Sequence, residues 1–170
     1  MTSASEEAIS GQRIVKIFES SLLLALEELN YPVNFYSASI FACGLDTITN
    51  LNREFLKKDK STNVLSWPQL IYEKKSGSDF PNIPEEFFGC RREIFLGDIA
   101  ISYDYCKDES VRLGIQFFEH CYRLATHAIL HLLGFDHQED KDAKIMEGLE
   151  MNLLSRIFSD CSHNGNVRFN

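Results

Sequence analysis

The stretch HAILHLLGFDH, residues 127–137, constrains this chain more than any other segment. It holds His127, His131 and His137, three of the five histidines, with Gly134 between the last two. Side chains four apart on a helix lie on one face, a turn from each other. His127 and His131 can therefore offer two imidazole nitrogens to one metal ion, at Zn–N distances of about 2.0–2.1 Å. Glycine adopts the left-handed conformation that ends a helix without steric cost. The chain can then turn at Gly134 and bring His137 back as a third ligand. HxxxHxxGxxH thus predicts a helix, a sharp turn and a three-nitrogen metal site. Three neutral ligands leave one tetrahedral position open, the arrangement of a catalytic zinc site. The competing reading is three core or surface histidines placed by chance, which the intervening glycine makes the poorer account.

The metzincin proteases share this spacing as HExxHxxGxxH, with the glutamate as general base. Here that position is Ala128, which cannot take a proton, so a zinc peptidase or amidase would lack its usual base. Asp136 lies between the turn and His137. It can orient a ligand histidine from behind, or it can cap the turn. His120, seven residues before His127, reads as a core or surface residue rather than a ligand.

The rest of the chain supplies a setting for this motif. At 170 residues it fits one domain able to bury a core without disulfides; residues 1–158 are expected to form it and 159–170 a flexible tail. Apolar spacing predicts helices over 12–29, from an N-cap at Asp46 onward, from about 110 to 133, and from about 140 to 158. An alternating β-rich stretch predicts a strand over 33–42, a short strand is expected over 62–67 before Pro68, and the apolar, β-rich stretch 93–102, interrupted by Gly97 and Asp98, predicts a third. Residues 69–90 read as a loop. The five cysteines are widely spaced and lack a CxxC pair, which argues against a disulfide framework or a cysteine zinc ribbon. Neither a membrane span nor a secretory signal is legible, so a cytoplasmic location is expected. The net charge of −8 disfavours a broad, sequence-blind nucleic-acid binder. A groove needs only local positive charge, however, and the segment REFLKKDK (53–60) concentrates it.

Three segments in order resemble the YbeY family of bacterial rRNA maturation factors: LNREFLKKDKSTNVLSWP (51–68), LGDIAIS (96–102) and HAILHLLGFDH (127–137). Met146 and Glu150 fit the helix that follows. The resemblance implies an α/β (α+β-like) single domain, with a mixed sheet of about four strands and surrounding helices. It implies one zinc ion on His127, His131 and His137, through which these residues serve catalysis. The activity implied is cleavage of single-stranded RNA in 16S rRNA 3′-end maturation and ribosome quality control. Precursor rRNA and the small ribosomal subunit are then the partners, with no membrane and no DNA expected. Ala128 stands for the family's usual glycine and Phe135 for its tyrosine, and one further departure bears on the chemistry: the family's arginine falls on Leu56. Arg53, Lys57, Lys58 and Lys60 are the candidates to contact RNA instead. An RNA-binding assembly factor with weak or no nuclease activity is the alternative.

Overall fold

The computed structural model describes residues 3–72, 80–81 and 93–163. Helix α1 (Ser3–Glu28) leads through a 3-10 turn (Val33–Phe35) into strand β1 (Tyr36–Cys43). Helix α2 (Leu45–Leu56), strands β2 (Val64–Pro68) and β3 (Ile94–Ser102), and helices α3 (Tyr103–Leu113), α4 (Phe117–Leu132) and α5 (Asp140–His163) follow. The sheet order is β1-β3-β2, with β1 parallel and β2 antiparallel to the central β3.

The architecture is α/β with a mixed sheet, as expected, but among the described residues the sheet has three strands rather than about four. The three are the stretches read as strands from their β-rich composition, and no fourth such stretch was read. Parts of the expected loop, residues 73–79 and 82–90, lie outside the described residues.

Strand β3 explains its own interruption. Leu96, Ile99 and Ile101 all join the main core, although strict alternation would put 96 and 99 on opposite faces. The register with β1 slips between Ser37 and Ser39, opposite this point. Gly97 absorbs the irregularity at φ +141°, and a Cβ there would sit 2.1 Å from the Trp67 carbonyl oxygen of β2. Only glycine allows β2 to approach this closely.

Helices α1, α4 and α5 pack together on one side of the sheet around Phe18, Leu26, Ile129, Leu130 and Met146. On the other side, Ile48 of α2 packs against Leu65 and Ala100. The helix expected over 110–133 is two helices. Gly114, in the left-handed conformation, ends α3, and α4 restarts at Phe117; the apolar residues on both sides conceal the break from a periodicity count. Helix ends also differ from expectation: α1 starts at Ser3 rather than at 12. Gly44, not Asp46, occupies the N-cap of α2, and α5 runs five residues past 158 to His163. Polar helix ends carry no apolar stripe by which to read them.

Candidate metal centre

Helix α4 is buried nearly all round: Leu124, Ala125, Ala128, Ile129, Leu130 and Leu132 are each at most 9% exposed. His127 and His131 stand on its one partly open face. The helix ends as the sequence suggests. Gly134 has φ +87°, and a Cβ there would lie 2.3 Å from the Tyr72 ring. The Tyr72 hydroxyl donates to the Leu132 carbonyl at 2.6 Å, satisfying one of the helix's terminal acceptors. Past this turn His137 comes back beside the other two. One nitrogen from each of the three rings lies within 4.8 Å of the others.

The partners of the rings fix their chemistry. The Phe135 carbonyl oxygen, 3.0 Å from His131 Nδ1, can only accept. His131 therefore carries its proton on Nδ1. Glu150 Oε1 sits 2.7 Å from His127 Nδ1 and holds that proton in the same way. When both rings are neutral their Nε2 atoms are lone pairs, and they face each other at 3.1 Å. Two lone pairs at this distance repel unless a cation lies between them. Two tetrahedral ligands on zinc stand about 3.3 Å apart by the same bond lengths. Burial, followed by the neighbouring His127, lowers the His131 pKa below the ordinary imidazole value, which opposes a proton in this role. The donor set therefore fits a borderline metal ion such as zinc.

The three histidines line a cleft of about 900 Å³, together with residues of β2, the turn after α4, and α5. A model of the family described as Endoribonuclease YbeY matches residues 1–158. The chain belongs to this family. It is 36% identical to the Endoribonuclease YbeY of Ruegeria pomeroyi over 143 residues, 84% of this chain and 85% of that protein. It is 41% identical to that of a second Ruegeria species over 135 residues, 79% of this chain and 75% of that protein. A solution structure of a Thermotoga maritima protein shares the fold with a TM-score of 0.58 and 19% identity, covering 91% of this chain and 87% of that one.

In this YbeY-family chain the remaining candidate residues fall in different places. Ala128 is fully buried, so the position of the metzincin base neither reaches the cleft nor carries a proton acceptor. Asp136 Oδ1 accepts the backbone N–H of His137 at 2.7 Å. The contacts behind the rings come from Glu150 and the Phe135 carbonyl. Glu150 had only a family fit in the sequence, because nothing local links it to a histidine 23 residues away. Leu56 lines the cleft and is 48% exposed. Arg53, Lys57, Lys58 and Lys60 are all exposed, and none of them lines it. Arg53 pairs with Asp59 at 2.6 Å, and Lys57 Nζ donates to the Glu54 carbonyl. His120 is buried, with Nε2 2.8 Å from Glu109. Cys106 and Cys121 are buried and their thiols pushed up by burial, so neither is a ready thiolate.

Proposed function

We propose that this chain is a zinc-dependent endoribonuclease acting on single-stranded RNA, with the ion held by His127, His131 and His137. The convergence of three imidazole nitrogens within 4.8 Å in an open cleft carries this reading. The printed name of the relatives, Endoribonuclease YbeY, supports it. When bound, the ion supplies Lewis acidity toward a phosphoryl oxygen. The chain's own residues prepare the site. Glu150 and the Phe135 carbonyl hold protons on the outer nitrogens, so the inner lone pairs stay directed into the cleft. Leu56, Leu65, Pro68 and Leu70 give the cleft an apolar wall. Such a wall suits the faces of unstacked bases, which a single strand exposes and a duplex hides.

The substrate expected in the cell is precursor 16S rRNA at its 3′ end, on the small ribosomal subunit in the cytoplasm, with a part in ribosome quality control. The test is metal content together with cleavage of a 16S precursor fragment, comparing wild type with His131→Ala. The expected result is about one zinc per chain with cleavage, both lost in the variant. Zinc without cleavage overturns the nuclease reading and leaves an RNA-binding assembly role. Absence of bound metal overturns the site itself.

A further inference from the structure

Arg123 is the one Lys or Arg among the described residues that line the histidine cleft. It sits four residues before His127 on α4, so the two share a helix face. The side chain is half exposed. Its Nε and Nη2 both donate to Glu119 Oε1, at 3.3 and 2.8 Å. A guanidinium has five N–H donors in a planar fork. Two of them are engaged with Glu119, and the other three have no acceptor among the described residues. Anchored on one side, the fork is held ready for a phosphate on the other.

Among the described residues, the end of α2 does not bring a cation to the cleft. Leu56 lines the cleft where α2 ends, and none of Arg53, Lys57, Lys58 and Lys60 does: Arg53 pairs with Asp59, and Lys57 donates to the Glu54 carbonyl. The need for a cation is local. The chain's net charge is −8, and Asp136 and Glu150 both line the cleft, so a backbone phosphate beyond reach of the bound ion meets negative charge unless something offsets it.

We propose that Arg123 binds a backbone phosphate of the RNA strand that lies over the histidine site, supplying from α4 the positive charge that α2 does not present. This rests on the nuclease reading above. The Glu119–Arg123 pair is itself an exposed i,i+4 contact of small energetic weight, so the arginine can be replaced without threatening the fold.

The test is binding of a fluorescein-labelled single-stranded oligoribonucleotide by wild type, Arg123→Gln and Arg123→Lys, followed by anisotropy over a series of salt concentrations. Metal content and cleavage are measured alongside. Arg123→Gln is expected to weaken binding roughly tenfold, as loss of a charge-assisted contact does. Its slope of log affinity against log salt should be shallower by about 0.7, the value for one phosphate contact on a single strand. Metal content should not change, and Arg123→Lys should keep the wild-type slope because it keeps the charge. A wild type that binds and cleaves while Arg123→Gln matches it in affinity and slope overturns this proposal alone. A metal-loaded wild type that neither binds nor cleaves RNA overturns the nuclease reading, and this proposal with it.

Discussion

Helix α4 and the end of α2 border the same cleft and offer it opposite chemistry. α4 presents His127, His131 and Arg123, while α2 presents Leu56. The contrast follows from how each is held. α4 is packed by α1, α5 and the sheet, so its few open positions are fixed in place. Residues 53–60 at the end of α2 are all exposed. Their charges are free to satisfy one another, as Arg53 does with Asp59. Arg123 is also paired, with Glu119, but it stands on a packed helix one turn from His127 and so still lines the cleft, whereas Arg53 is paired away from it.

The strongest way to break this comparison is His131→Ala. If α4 carries the site, the variant loses both bound metal and RNA cleavage, read by metal analysis and an oligoribonucleotide assay. Gly134→Ala tests the turn rather than a ligand. The φ of +87° and the contact with Tyr72 predict a loss of at least about 1–3 kcal/mol from backbone strain, measured by denaturant unfolding. Retained stability would show that the turn can be built another way. Glu150→Gln should leave the fold intact and weaken metal binding by roughly 10–100-fold, the usual cost of removing a carboxylate behind a ligand histidine, in a competition titration with a chelator.

Acid should act on α4 as well. The His131 pKa is lowered in the folded chain, against about 6.5 when unfolded. Between these values the unfolded state binds more protons, so stability rises with pH. The metal-free protein should therefore lose stability as pH falls below about 6.5, seen as a lower urea midpoint; an unchanged midpoint would show that burial does not disfavour the charged ring. The smallest effect belongs to α2. Arg53→Ala removes a pair whose side chains are 55% and 71% exposed, and should shift stability by less than about 1 kcal/mol with metal content unchanged. A larger loss would mean that the surface of α2 is more tightly organised than its exposure indicates.

The spacing of His127, His131, Gly134 and His137 was enough to foresee both the turn and the meeting of three nitrogens, because i,i+4 geometry and glycine's left-handed preference are local properties. The three strands were legible too, since alternation in β1 and β-rich apolar composition in β2 and β3 are local properties. The break between α3 and α4 was not, because Gly114 interrupts the helix without interrupting its apolar composition.

What the sequence determined by itself was thus the helix that carries His127 and His131, the turn after it and the class of the fold, each encoded within a few residues. Tertiary structure alone decided which residues stand around that helix. Glu150 reaches His127 from 23 positions away, and Tyr72 closes the end of α4 from 60. These are contacts between elements distant in the chain. Packing sets them, through the burial of α4 against the sheet and its neighbouring helices, and no local pattern records that.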